Sequence, residues 1–528
     1  MYFKINLASL LIVLASLMLT AQGNLPQPQH ALEFNVLDFG AIGDGRTLNT
    51  VAIQQAIDQA HQQVLGGTVV FPKGKFLTGS IELKGNVHLY LREGAVLLGS
   101  THPKDYTAMD GEGRPIAPKK DDNSQLALIL ARQAHHIKIS GKGVIDGQGR
   151  ALALTIDSLH HTGRQIDPNY TTELMRPNER VRPKLFRFSQ CNHVKIHDLT
   201  LQNSASWGLS FELCTDLEIK KIKLINRAYW NNDGMDITDC RDVRVTHCDV
   251  NSADDGICLK SYYPGYTNDG IYIAHCTIRS SASAIKFGTA SYGGFKNVTI
   301  EHIKIYDTFR SAIAIESVDG GLIENIKVHN IVAKNTGNAI FIRLGHRDGA
   351  SPGIIRNVHI KNMKVEVPFG RPDVKYDMRG PEVPFFHNPF PASIVGIPGH
   401  RIDGVVLENI SITYPGRASK GMAYVPISRL NQVPEQVKKY PEFDMFGELP
   451  AWGFYVRHAN GLQFKNLTLR LKNDDFRPAF VFDQVSGLKM DSVNLPKSTK
   501  NEIVLHQAIN LALDNQASAT ALDVTLRD

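Results

Sequence analysis

After its first 23 residues this 528-residue chain has no apolar run long enough to cross a membrane as a helix. It has no basic patch with interleaved aromatic residues, so nothing in it asks for nucleic acid. No long stretch carries a 3.6-residue apolar period, which excludes a helical solenoid or bundle. Cysteine is confined to Cys191, Cys214, Cys240, Cys248, Cys258 and Cys276. None stands at the end of the N-terminal apolar segment, so no lipoprotein anchor is expected. Charged residues make up 21% of the chain and apolar ones 42%, the balance of a folded soluble protein and not of a disordered one. The net charge of +6 suits either an ordinary soluble surface or an acidic polymer as ligand.

Residues 1–23 read as a secretory signal. Lys4 supplies a positive n-region, Leu7 to Leu19 an apolar core, and Ala21-Gln22-Gly23 the small residues of a cleavage site. The remainder, 24–528, is expected to be one periplasmic or secreted domain, free of the membrane after cleavage and monomeric. An exported chain has the option of disulfides. However, Cys214 and Cys240 share a local pattern, as do Cys248 and Cys276, which also suits small buried residues stacked inside a solenoid.

What is present is a repeat. An Asx/Gly-Val-x-Ile pattern recurs as His136-Ile137-Lys138-Ile139, His193-Val194-Lys195-Ile196, Asp216-Leu217-Glu218-Ile219 and Asp242-Val243-Arg244-Val245. It continues as Gly270-Ile271-Tyr272-Ile273, Asn297-Val298-Thr299-Ile300, Gly321-Leu322-Ile323 and Asn357-Val358-His359-Ile360, with echoes at Val405-Val406-Leu407 and Leu462-Gln463-Phe464. Between Ile196 and Ile323 the spacing is about 23 to 28 residues. Each copy is a period-2 strand seed whose apolar row no single coil can bury alone. Stacked coils share one core, so the predicted fold is all-β, a right-handed parallel β-helix. Asn49 to Ile57, with apolar residues at helical spacing after the turn and cap Asp44-Gly45-Arg46-Thr47, predicts a helix that closes the N-terminal end. Leu505–Asp528 is expected to close the other. The wider gaps at Pro368–Pro398 and Pro415–Pro450 predict inserted loops rimming a binding face.

The second strands of five coils align as Asp233-Gly234-Met235-Asp236-Ile237-Thr238, Asp255-Gly256-Ile257-Cys258-Leu259-Lys260, Ser283-Ala284-Ile285-Lys286-Phe287-Gly288, Ser311-Ala312-Ile313-Ala314-Ile315-Glu316 and Asn338-Ala339-Ile340-Phe341-Ile342-Arg343. Alternation predicts three outward columns. They begin at Asp233, Asp236 and Thr238, and all three are expected to be exposed. Rungs stack about 4.8 Å apart, so Asp233, Asp254 and Asp255 crowd one patch. Crowded carboxylates are costly unless one keeps a proton, and a protonated acid beside an ionised one is what glycosidic hydrolysis needs. A lone Asp-Gly pair would merely bond its own backbone in a turn. Three carboxylates in register point to chemistry.

Asn35-Val36-Leu37-Asp38-Phe39-Gly40-Ala41 with Gly43-Asp44-Gly45, Gly66-Gly67-Thr68-Val69-Val70-Phe71-Pro72, and Gly143-Val144-Ile145-Asp146-Gly147-Gln148-Gly149 form a set of segments. Together they resemble glycoside hydrolase family 28, the polygalacturonase family, with its pectin-lyase-like solenoid. Arg182-Pro183 followed by Phe186 resembles a bacterial variant. Of the family's four active-site motifs, Asn-Thr-Asp reads here Asn231-Asn232-Asp233, and the paired aspartates are intact as Asp254-Asp255. Gly-His-Gly is replaced by Ala282-Ser283-Ala284, and Arg-Ile-Lys by Ala314-Ile315-Glu316. The family's Arg and Lys are associated with the sugar at the cleaved bond, so Glu316 puts an anion where a carboxylate-binding cation belongs. Lys260, Lys286 and Arg343, with His346 and Arg347 nearby, are the compensating groups, and Asn231 and Glu316 complete the substrate-binding set. The alternative is a salt-bridged network of Lys286, Glu316 and Arg343.

The resemblance implies an inverting hydrolase of pectic polysaccharides or oligosaccharides, galacturonan or rhamnogalacturonan in type, acting on chain ends. Asp254 would be the general acid, with Asp233 and Asp255 as base partners. No cofactor or metal is called for. Two rivals stay open. A calcium-dependent lyase would use the three aspartates as oxygen ligands, although no arginine base is evident among the aligned rungs. A non-catalytic glycan-binding protein would account for the two missing motifs.

Overall fold

The computed structural model describes residues 32–496, apart from 110, 112, 119–122, 375–389 and 419–424, together with 503–513 and 519–521. The segment read as a secretory signal lies outside the described residues. So do 375–389 of the first predicted loop and 419–424 of the second.

The strands form one right-handed parallel β-helix, in which each strand pairs with its counterpart in the coils before and after it. The repeat read from the sequence is the inner ladder of the core. Ile137, Val194, Leu217, Val243, Ile271, Val298, Ile326, Val358 and Val405 follow one another rung by rung, all buried. The residue that opens each motif turns the corner with positive φ: His193 at 54°, Asp216 at 51°, Asp242 at 56°, Gly270 at 70° and Asn297 at 52°. Short polar side chains and glycine tolerate that conformation, which is why the motif begins with Asx or Gly.

One register differs from the sequence reading. Val298 pairs with Ile326, so the motif copy is Asn325-Ile326-Lys327-Val328 and not Gly321-Leu322-Ile323. The reason is an asparagine ladder on the outer surface. Asn325 Nδ2 donates to Asn297 Oδ1 at 3.1 Å, and Asn357 Nδ2 donates to Asn325 Oδ1 at 2.5 Å. Stacked amides lock the corners in line, whereas Leu322 belongs to the approach and pairs with Gly294.

The capping helix α1 is Thr50–Gln62 and buries Ile53, Ala56, Ile57 and Ala60 against the first coil. The segment read as its cap differs. Asp44–Leu48 is a strand, and Asp44 accepts hydrogen bonds from its own Arg46 and Thr47 amides. A second helix that the periodicity did not reveal, α2 at Gly149–His161, buries Leu152, Ala153 and Ile156. At the far end, Ile503–His506 stacks on Phe480–Ser486 and pairs in turn with Ala519–Ala521, extending the ladder.

The outward columns are not exposed. Ala314, Phe341, Val395, Tyr455, Val481 and Val504 lie under Phe390, Leu430, Val433, Phe443, Met445, Phe446 and Leu449, forming a second apolar cluster outside the solenoid. The described part of the Pro415–Pro450 loop supplies most of that cover. Arg310–Glu442 at 2.6 Å and the edge-to-face pair Phe309–Phe443 fasten it to the wall.

All six cysteines are buried with free thiols. Cys191, Cys214 and Cys240 follow one another inside the solenoid, and Cys240 Sγ accepts from the Cys214 amide at 3.4 Å. Burial removes thiolate character, so native protein should titrate no thiol with an aromatic disulfide reagent until denaturant is added. Tm should be unchanged by reductant. A fall in Tm on reduction would reveal a disulfide instead.

Candidate active site

Strand pairing brings the acids together. Met235 lies beside Ile257, Asp236 beside Cys258 and Thr238 beside Lys260, which sets Asp233 against Asp255 on adjacent rungs. The Gly234 amide donates to the Asp255 carbonyl at 2.8 Å. Each acid precedes a glycine for a steric reason. A Cβ on Gly234 would collide with the Gly256 carbonyl, and one on Gly256 with the Ala284 carbonyl.

The three aspartates line one cleft of about 350 Å³. Asn123, Glu179, Trp207, Asn231 and Tyr262 join them, as do Lys260, Thr289, Ala290, Tyr292, Arg347 and Tyr440. Asn123 and Tyr262 also line a neighbouring cavity of about 730 Å³ that continues the cleft past Tyr106, Arg114 and Arg180. Asp233 and Asp255 are buried and Asp254 is half-buried. Among the described residues, no group of three or more His, Cys, Asp or Glu side chains is arranged to hold a metal ion.

The environment splits the carboxyls. Burial pushes Asp233 well above the ordinary aspartate value, and the charges of Asp236 and Asp254 push it further. Burial raises Asp254 as well, reinforced by Asp255. Burial also works against the Asp255 anion, but Lys286, Arg310 and Lys260 outweigh it and hold that carboxyl below its ordinary value. Asp255 Oδ2 lies 3.3 Å from Lys286 Nζ, and its Oδ1 accepts from the Ser283 amide at 3.0 Å. Asp233 and Asp254 are thus pushed toward the protonated form and Asp255 toward the anion. That division is what an acid–base pair on one glycosidic bond requires.

Asp236, fully buried beneath Asp233, pairs with Lys260 at 2.9 Å, and Asp233 is 3.5 Å from the same Nζ. The Lys184 and Lys260 ammonium groups lie 4.2 and 4.6 Å from the centre of the Trp207 ring. Two cations on one indole hold the ring in place as a wall of the cleft. Asn231 lines the cleft in a positive-φ turn, and its Oδ1 accepts from Arg182 Nη2 at 2.7 Å. Arg182 Nη1 donates to the Ala205 and Trp230 carbonyls at 2.7 and 2.6 Å. It thereby pins the turn that presents Asp233.

The remaining residues singled out from the sequence fall elsewhere. Lys286 is buried just under the cleft, held by Asp255 and by the Tyr440 hydroxyl at 3.3 Å. Glu316 does not line the cleft. It is buried, and burial pushes its carboxyl up to about 8, so it is largely neutral at pH 7 and not the anion that the motif change suggests. Arg343 does not line the cleft either. Nη1 donates to the Gly396 carbonyl at 2.9 Å, and Nη2 donates to those of Glu435 and Gln436 at 2.7 and 3.1 Å. It fastens the covering loops, and the network of Lys286, Glu316 and Arg343 does not form. Cys258, in the second column, is buried with its Sγ 3.1 Å from Lys260 Nζ. The third column is broken, because Ser261 pairs with Ser291 and residues 288–290 bulge out of register. The bulge turns Thr289 and Ala290 into the cleft.

Sequence reasoning passed over Asn123, Glu179, Trp207, Tyr262, Tyr292 and Tyr440. For Trp207 a signal existed. Ser206-Trp207-Gly208 repeats the Asn232-Asp233-Gly234 pattern one rung earlier, and the Gly208 amide donates to the Asp233 carbonyl at 2.9 Å.

Comparison with known proteins agrees with this geometry. The family model described as Glycosyl hydrolases family 28 matches residues 64–374. A probable polygalacturonase of Vitis vinifera is 25% identical over 79% of this chain and 84% of its own length. An exo-poly-alpha-D-galacturonosidase of Dickeya chrysanthemi is 26% identical over 60% of this chain, and the match spans 57% of that relative. In fold, the exopolygalacturonase of Thermotoga maritima superposes with a TM-score of 0.60 at 20% identity, covering 84% of this chain and 93% of that one. With the family model spanning more than half its length, the chain belongs to glycoside hydrolase family 28.

Proposed function

We propose that this glycoside hydrolase is exported on residues 1–23 and that 24–528 form one catalytic domain. It cleaves pectic polysaccharides or oligosaccharides at chain ends, with inversion. The observation that carries the reading is the divided carboxylate trio, with Asp255 Oδ2 3.3 Å from Lys286 Nζ, which favours its anion, while burial favours the protonated form of Asp254 beside it. Asp254, the most open of the three, protonates the leaving oxygen. Asp255 activates water from the opposite face, with Asp233 as its partner. Two curated relatives carry names that specify pectic substrates, and one of them is named for exo action.

Action at chain ends is supported by the wall past the acids. Beyond Lys286 the groove floor continues as Ala314 and Phe341, and both lie under Phe443 and Phe446 of the covering loop. That cover would stop a polymer from running through that end of the cleft. On pectic substrates the purified protein should release short products from the first minutes, with little loss of viscosity. Proton NMR during the first turnovers should show the inverted anomer. Products carrying a 4,5-double bond that absorb in the ultraviolet, with activity abolished by chelator, would establish the lyase instead. Binding without new reducing ends would establish a glycan-binding protein.

A further inference from the structure

The walled end of the cleft, on the Lys286 side of the acids, is where the family resemblance places the arginine and lysine that meet the sugar at the cleaved bond. Here that end is lined by Thr289, Ala290, Tyr292, Arg347 and Tyr440. Arg347 is the one cation among them, and it is already spoken for. Nε donates to Asp319 Oδ1 at 2.9 Å and Nη2 to Asp319 Oδ2 at 2.6 Å. The Asp319 carboxylate is fully buried. A bidentate pair of this kind carries no net charge toward a ligand, and drawing Arg347 away would leave a buried carboxylate unpaired.

The other cations near this end are committed in the same way. Lys286 is buried against Asp255, and Arg310 pairs with Glu442 at 2.6 Å. The positions of the family's Arg and Lys hold Ala314 and Glu316, both buried. A sugar carboxylate placed here would meet the Asp255 anion with no uncommitted cation among the described lining residues to offset it. What the end offers instead is neutral. Tyr440, with Lys286 and Arg347 against its ring, is 48% exposed beside the cleft. The Thr289 hydroxyl lines the cleft, buried and without a hydrogen-bond partner among the described residues. An aromatic face and an unsatisfied hydroxyl are the complement of a sugar ring bearing only hydroxyl and methyl groups.

We propose that the sugar held at the walled end is neutral, a hexose or 6-deoxyhexose, so that the bond cleaved joins a neutral sugar to its neighbour and not two uronates. This rests on the hydrolase reading above.

The test uses the wild-type protein and two purified sets of oligosaccharides of matched length. In homogalacturonan oligomers, uronates flank every bond. In alternating galacturonate–rhamnose oligomers, one flank of every bond is neutral. Since a like charge against a site costs several kilocalories, kcat/KM should be at least about 100-fold higher on the alternating set. Equal or faster hydrolysis of homogalacturonan would overturn the inference and leave the hydrolase reading standing. Hydrolysis of neither set, nor of any other pectic oligosaccharide, would overturn the hydrolase reading and this inference with it.

Discussion

Replacing Asp254 by Asn is expected to lower kcat by roughly 10²–10⁴-fold, the usual contribution of a positioned general acid. Tm should stay within a degree or two, because Asp254 is half-buried and the hydrogen bond its side chain makes, Oδ1 accepting from the Asp255 amide at 3.0 Å, is one that an amide oxygen can also make. The substitution removes the proton that the leaving oxygen takes and leaves Asp255, Lys286 and the cleft walls in place. A second measurement separates an acid from a binding group. With an aryl glycoside whose leaving group departs as a stable anion, no protonation is needed, and the deficit of the Asp254→Asn protein should shrink by an order of magnitude or more. An equal deficit on both substrates would take the acid role away from Asp254. Full activity on pectic oligosaccharides would remove it from catalysis altogether.

How far the sequence could carry this is clear from particular residues. Apart from the bulge after Phe287, the register of the five second strands was legible because strand alternation has a fixed period of two, and the pairings Asp236 with Cys258 and Glu316 with Arg343 follow from it directly. Alternation says which side of the wall a residue takes, and says nothing of what lies over it. Arg343 and Glu316 point out of the solenoid as expected and are nonetheless buried, because Phe446 and its neighbours fold back from 90 or more residues away in the chain. The same limit hid Tyr440 and Glu179, which reach the cleft from loops with no repeat to align. The Gly288–Ala290 bulge was out of reach for a different reason. A bulge breaks the period on which the column reading depends, so Thr289 was invisible to it. Helix α2 follows a motif that was legible as a family segment, and the apolar residues after it, Leu152, Ala153 and Ile156, form a stripe too short to stand out against strand seeds.

Lys286→Met should show what holds Asp255 in its working state. The pair is deeply buried, with 1% of the lysine and 6% of the aspartate side chain exposed, and the two atoms lie 3.3 Å apart. Removing one member of such a pair strands the other, and about 3–5 kcal/mol of unfolding free energy should be lost at neutral pH. The pH dependence gives the sign. In the native protein Asp255 has a folded-state pKa below its unfolded one, so its contribution is present at neutral pH and is lost as pH falls through the folded value. Without Lys286 the burial that opposes the anion is met only by Arg310, Lys260 and the Ser283 amide, and the folded pKa moves up. The variant's Asp255 then contributes less to stability at neutral pH than the native one does. Denaturant unfolding at pH 4 and pH 7 should therefore show a large gap between the two proteins at pH 7 and a smaller one at pH 4. The acid limb of kcat/KM should move to higher pH in the variant, because a protonated Asp255 activates no water. A variant as stable as the native protein at pH 7, with its acid limb unmoved, would mean that Lys286 does not set the charge of Asp255 and that the base must be sought elsewhere in the trio.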